Sequence, residues 1–171
     1  MEFFDVIEKR RSIRKFKNKK IEEEKIRKLL EAVNRAPSAG NLQSYEIILV
    51  ETQKRKEKLV NAAYGQEFIK EAPLVLVFCA NFKRAWRYGE KGKFYSQQDA
   101  TIAASYAQLA ATALGLGSVW VGSFDEDEVR KVIEASKDLK PVAILPIGYP
   151  AEKPLKTSRR KIDDIVHKEV Y

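Results

Sequence analysis

A single cysteine, Cys79, and a single histidine, His167, occur in 171 residues. Neither a disulfide within the chain nor a zinc site of the usual Cys/His kind can be assembled from them. An intracellular, reduced setting is therefore expected, with no metal site. No apolar run approaches the roughly 20 residues that span a bilayer, and the first residues lack a signal peptide's apolar core. Repeats, low-complexity stretches and linker-like composition are also missing. With 44% hydrophobic and 33% charged residues, neither a disordered nor a fibrous chain fits. One domain over residues 1–171 is expected, long enough to bury a core without covalent staples.

Charge is plentiful and unbalanced. Lys and Arg number 32 against 24 Asp and Glu, a net charge of +8. Such a balance favours anionic partners, whether nucleic acid, a phosphorylated cofactor or a membrane surface, without choosing among them. Much of the charge is mixed with acid, as in IEEEKIRKLLE and DEDEVRKVIE, and reads as solvated helix faces. The excess lies at 9–20, 83–93 and 153–161.

Residues 2–10, EFFDVIEKR, place Phe3, Val6 and Ile7 on one helical face, and Ile26, Leu29, Leu30 and Val33 repeat the pattern in a second helix closed by Pro37. Both helices are expected to bury a stripe. YEIILVE at 45–51 and PLVLVFCA at 73–80 fit buried strands, with the helical QKRKEKLVNAA between them. SQQDATIAASYAQLAATAL, from Ser96 to Leu114, reads as a buried central helix with Gly115 at its C-cap. SVWVGSF and PVAILPIGYP read as strands on either side of the helix DEDEVRKVIEAS. A tail from Ala151, rich in Lys, Arg and Pro, is expected to wrap over a surface.

Three stretches invite a chemical reading. In EKRRSIRKF, Arg10, Ser12 and Arg14 alternate, so in an extended segment they face one side, where two guanidiniums and a hydroxyl can clamp a phosphate. A solvated basic stretch is the plainer alternative. The small residues of APSAGNLQS let backbone approach a flat ligand, with Asn41 and Gln43 as amide donors and acceptors, or they simply connect helix to strand. The Gly-x-Gly of GLGSVWVGSF follows a helix and precedes a strand, the reverse of the dinucleotide-binding order. Gly122 nonetheless marks a point where backbone could lie against a ligand. FKRAWRYGEKGKFYS, between Asn81 and Ser96, mixes aromatics with cations, suiting stacked bases of single-stranded nucleic acid as well as a plain surface loop.

Taken in order, RRSIRKF, APSAGNLQS, ALGLGSVWVGSF, ILPIGYP and KPLKTSRRKIDDIVH resemble the nitroreductase family of FMN-dependent oxidoreductases. The resemblance implies an α+β fold, with an antiparallel-dominated mixed sheet of about four strands flanked by helices. It also implies an intertwined cytoplasmic homodimer with FMN at the interface. Arg10 and Ser12, beside Arg11, would hold the FMN phosphate, with Arg14 toward the ribityl chain or pyrimidine edge. Arg159 or Arg160 would join them from the tail. Pro37, Ser38, Ala39 and Asn41, with Gln43 nearby, would cover the flavin held by the partner. Gln66 would reach the ribityl chain or ring, and the backbone at Val121, Gly122 and Ser123 would face N5.

Trp86, Tyr88, Phe94 and Tyr95 would contact the acceptor. The implied activity is hydride transfer from NADH or NADPH through FMN to nitroaromatics, quinones or similar acceptors, with no catalytic side chain required. Reductive dehalogenation and flavin fragmentation occur on the same scaffold and stand as alternatives. A basic nucleic-acid-binding domain using 9–20 and 82–95 is the rival from another class.

Overall fold

The computed structural model describes all of residues 1–171. In chain order the elements are α1 (Phe3–Lys9), α2 (Glu23–Val33), β1 (Tyr45–Val50), α3 (Gln53–Ala62), α4 (Phe68–Glu71), β2 (Leu74–Asn81), α5 (Lys91–Ala113), β3 (Gly117–Ser118), α6 (Glu126–Val132) and β4 (Leu139–Gly148). The strands form one sheet in the order β1-β2-β4-β3, with every ladder antiparallel. The only parallel pairing is an isolated bridge between Ser12 and Ser118.

β2 reads LVLVFCAN without polar alternation because it is central and covered on both faces. Leu74, Leu76, Phe78 and Ala80 join Leu29 and Val33 of α2 and the alanines of α5 in one core. Val75, Val77 and Cys79 join Leu59 of α3, Ile69 of α4 and Val129 of α6 in the other. Successive strand side chains alternate faces, so this one run feeds both cores. In α5 the residues Ala100, Ala103, Ala104, Ala107 and Ala111 are fully buried, and their small side chains seat the helix close to β2 and β4. No helix is long and apolar enough to cross a membrane.

Several expectations are refined. YEIILVE is the sheet's edge rather than a buried strand, and Leu49 stays 42% exposed. SVWVGSF pairs as a ladder only at Gly117–Ser118, with a further isolated bridge from Val121 to Ile144. In α1 only Val6 is buried, while Phe3, Phe4 and Ile7 face solvent, because within the chain that helix is covered on one side alone. The central helix begins five residues earlier than its alanine pattern indicates, at Lys91 rather than Ser96. From Ala151 onward the chain is largely exposed, with one short 3-10 turn at Ile162–Asp164.

Candidate functional site

The basic N-terminal segment leaves α1 at Arg10 and turns along the far edge of the sheet. There Ile13 donates its N–H to Ser118 O at 3.0 Å, and the Ile13 side chain fills the space above Gly117, where an added Cβ would lie 2.6 Å from Ile13 Cγ1. Glu152 fixes the next step, its Oε1 accepting the backbone N–H groups of Arg14 at 2.5 Å and Lys15 at 3.0 Å. The chain just before the tail is thereby sewn to the N-terminal segment. This is how two cationic stretches far apart in sequence come to meet.

Arg10 is half-buried and its pKa is lowered, first by desolvation and then by the charges of Arg159 and Arg11. Its close charged neighbours are therefore cations. None of Arg10, Arg11, Arg14 or Arg159 forms an ion pair. Arg11 donates to Glu8 O at 2.5 Å and Arg10 O at 2.9 Å, so its guanidinium caps the C-terminus of α1. Of the two tail arginines, Arg159 is the one whose charge reaches Arg10, whereas Arg160 turns away to donate to Asp164 O. Arg159 is steadied by Thr157 Oγ1 at 2.7 Å and Ser158 O at 2.9 Å. Ser12 pairs with Ser118, whose buried hydroxyl has no hydrogen-bond partner.

Val121 is buried, and Gly122 and Ser123 lie exposed beyond it. The amides of Gly122 and Ser123 donate to no backbone carbonyl. Gln66 holds this stretch, its Nε2 donating to Ser123 O and Ala63 O, both at 3.0 Å. The Arg14 guanidinium lies 6.0 Å from the centre of the Phe68 ring in the neighbouring α4. Arg14, Phe68, Gln66 and the 121–123 backbone thus share one side of the sheet with the second core.

A second cluster forms at the opposite edge. Pro37 to Gln43 leads into β1 through a tight turn in which Gly40, Asn41 and Gln43 have φ of 55°, 56° and 43°. Left-handed backbone is uncommon for residues other than glycine and must be held by its surroundings. Asp99, 2% exposed in α5, supplies that hold: Oδ1 accepts Ala39 N–H at 2.9 Å, and Oδ2 accepts the Ser44 hydroxyl at 2.5 Å. Ser38 Oγ accepts Gln43 N–H at 3.0 Å, and the Gln43 amide folds back on Asn41.

Pro37, Ser38 and Ala39 line an open cleft of about 720 Å³ with Phe94, Tyr95, Gln97 and Gln98. Tyr95 meets Tyr88 edge-on at 4.9 Å and Phe94 at 5.9 Å. Trp86 takes no part in this cleft and is 70% exposed beside Arg87.

The expected site residues therefore fall into two groups. Arg10, Ser12, Arg14, Gln66, Val121–Ser123 and Arg159 gather toward one edge, and Pro37–Gln43, Tyr88, Phe94 and Tyr95 at the other. No residue of the first group lines the cleft of the second. β2 and β4 stand between β1 and β3, so the edges are separated by roughly 14 Å at the usual inter-strand spacing. Asp99, Arg84 and Phe68 escaped the sequence reading. Asp99 alone carried a signal, as the sole charged residue from Ser96 to Leu114.

The sequence pattern of the nitroreductase family matches residues 7–81 and 61–149, and the chain belongs to that family. An FMN reductase (NAD(P)H) of Bacillus subtilis is 34% identical over 94% of this chain and 71% of its own length. An NADH dehydrogenase of Thermus thermophilus is 32% identical over 92% of this chain and 91% of its own length. Among solved structures, the NADPH:FMN oxidoreductase of Vibrio harveyi, complexed with NAD+, superposes with a TM-score of 0.93. It is 25% identical and covers 99% of this chain and 77% of its own.

Proposed function

We propose that this chain is an NAD(P)H-dependent flavin oxidoreductase that holds FMN between two copies of itself and reduces nitroaromatics, quinones or similar small acceptors. The observation that carries the reading is that Glu152 ties the start of the tail to residues 14 and 15, bringing the charge of Arg159 to bear on half-buried Arg10, which forms no ion pair, while the nearby Glu8 is taken up by Lys156. Like charges brought together and partly desolvated need an anion, and a phosphate dianion is the group such a donor set suits. The names of the family's relatives, FMN reductase and NADPH:FMN oxidoreductase, support FMN as the source of that phosphate.

FMN held there would supply the redox chemistry, hydride transfer between NADH or NADPH and the acceptor. The chain's residues bind and orient. Arg10 and Arg159 neutralise the phosphate, with the Ser12 hydroxyl as a further donor. Gln66 fixes Ser123, and the Gly122 and Ser123 amides, which donate to no backbone carbonyl, are the donors that would serve the ring. Pro37–Asn41, anchored by Asp99, and the aromatics Phe94 and Tyr95 act on the partner's flavin, excluding water and stacking on a planar acceptor. The separation of the two residue groups across the sheet supports this sharing, as does apolar surface uncovered on α1 at Phe3, Phe4 and Ile7.

Purified protein tests the reading directly. It should carry an oxidised-flavin absorption band that bleaches anaerobically on adding NADH or NADPH and returns on adding a quinone or nitroaromatic. Colourless protein that takes up no FMN, and binds RNA in a salt-sensitive way, would contradict it.

A further inference from the structure

The segment from Phe82 to Gly92 is a compact unit of its own. It leaves β2 through a turn in which Arg84 N–H reaches Asn81 O at 3.2 Å, passes a 3-10 turn at Trp86–Tyr88, and closes where Gly92 packs against the backbone of buried Ala85. From this unit one side chain crosses to the strained turn before β1. Arg84 Nε donates to Leu42 O at 3.2 Å and Gln43 O at 3.1 Å, and Nη2 donates again to Leu42 O at 3.1 Å. The planar fork of a guanidinium can hold two successive carbonyls in this way, and an ammonium cannot. A second contact lies one turn further on, where the Tyr88 hydroxyl occupies the space beside Gly40 that any side chain there would need.

The carbonyl of Gln43 belongs to one of the left-handed residues, at φ 43°. That backbone state persists only if its surroundings enforce it, and strain of this kind concentrates at ligand sites. Asp99 holds the turn from within the core, through Ala39 and Ser44. Arg84 holds it from the solvent side, through Leu42 and Gln43. Asp99 lies in the interior of α5, whereas Arg84 belongs to the unit that leads directly into the first turns of α5, where the cleft aromatics Phe94 and Tyr95 sit.

From this geometry we propose that Arg84 is a positioning residue that makes the 37–43 turn and the aromatic segment 82–95 a single body. The wall of the acceptor cleft and the cover of the flavin are then set by the same side chain. The proposal rests on the reading that 37–43 covers FMN. Arg84 touches neither acceptor nor cofactor in this scheme; it fixes the height and tilt of Pro37–Ala39 against Phe94 and Tyr95. Removing it leaves the phosphate clamp and the Gly122–Ser123 donors intact, so the chemistry at saturation is retained while the cleft becomes ill-defined.

The test uses the FMN-loaded protein and compares wild type, Arg84→Ala and Arg84→Lys by steady-state kinetics with a quinone acceptor. Arg84→Ala should raise the acceptor KM on the order of tenfold, the loss ordinarily seen for charge-assisted hydrogen bonds, with kcat essentially unchanged. Arg84→Lys should recover only part of this. Methylguanidinium at sub-denaturing concentration should lower the KM of Arg84→Ala, and sodium chloride at equal ionic strength should not.

Wild-type KM in Arg84→Ala would overturn the proposal. So would a fall in kcat and KM that tracks a lowered melting temperature without rescue, since a merely structural role predicts that. Wild-type protein that holds no FMN, or holds it regardless of Arg10→Ala, would instead bring down the underlying reading, and this proposal with it.

Discussion

Arg10 stands where α1 ends, half-buried among cations, and the fold makes its charged form harder to keep. An isolated protein has nothing to gain from that arrangement, whereas a phosphate dianion turns mutual repulsion into shared attraction. The double variant Arg10→Ala with Arg159→Ala should therefore release FMN. Loss of even one charge-assisted contact costs about 1.5–3 kcal/mol, so the dissociation constant should rise at least on the order of tenfold. Titrating the variant against the fluorescence of free FMN measures this. Thermal unfolding of the flavin-free protein should change little, since neither side chain lies in either core. Undiminished retention in the double variant would remove the clamp.

Between elements, the entry to α2 is pinned to the end of β4 by a cluster around Tyr149. Its hydroxyl donates to Glu22, the residue just before α2, and accepts from Lys25 Nζ at 3.0 Å, while Lys19 Nζ sits 4.2 Å from the ring centre. The Tyr149 hydroxyl is the main reason the Glu22 carboxyl falls from an ordinary 4.5 to about 2, with its own backbone N–H and Lys19 adding to the effect. A pKa depressed in the fold contributes stability that is present above about 4.5 and lost as pH falls toward about 2. Tyr149→Phe should therefore move the acid-unfolding midpoint to higher pH. Its difference from wild type should shrink at the acid end, where Glu22 is protonated in both. Because Glu22 is exposed, the shift should be small, and circular dichroism across an acid titration would resolve its sign.

For the whole molecule, the decisive feature is that Arg10, Ser12 and Arg159 lie toward one edge of the sheet and the 37–43 turn toward the other. If each flavin takes its clamp from one copy and its cover from the other, two defective chains can repair each other. Protein carrying Arg10→Ala with Arg159→Ala, mixed and exchanged with protein carrying Asp99→Ala, should form heterodimers with one fully native site. After statistical exchange half of the dimers are mixed and each mixed dimer has one native site of two, so activity should rise above that of either variant toward about a quarter of wild type. A site complete within one chain would give no recovery. Apolar side chains left uncovered on α1, on α5 at Phe94 and Tyr106, and along the tail at Leu155, Ile162 and Val166 supply the surface for such an assembly.

The sequence by itself determined most of the helices and the buried strands, and it marked candidate residues for a phosphate site. Uninterrupted apolar text made β2 central, the alanine repeat made α5 a buried helix, and alternation in RRSIRKF marked Arg10 and Ser12. These patterns are local, set by which faces a single element must bury. Tertiary structure alone decided the rest.

Glu152 ties the start of the tail to residues 14 and 15, so that the charge of Arg159 reaches Arg10 while Arg160 turns to Asp164 O. Asp99 and Arg84 hold the 37–43 turn across 60 and 42 positions of sequence respectively. Within the chain YEIILVE is an edge because the strand order places it outermost, which no reading of its own residues could reveal. Contacts between distant positions depend on how the sheet orders its strands, and that order is a property of the packed whole rather than of any stretch within it.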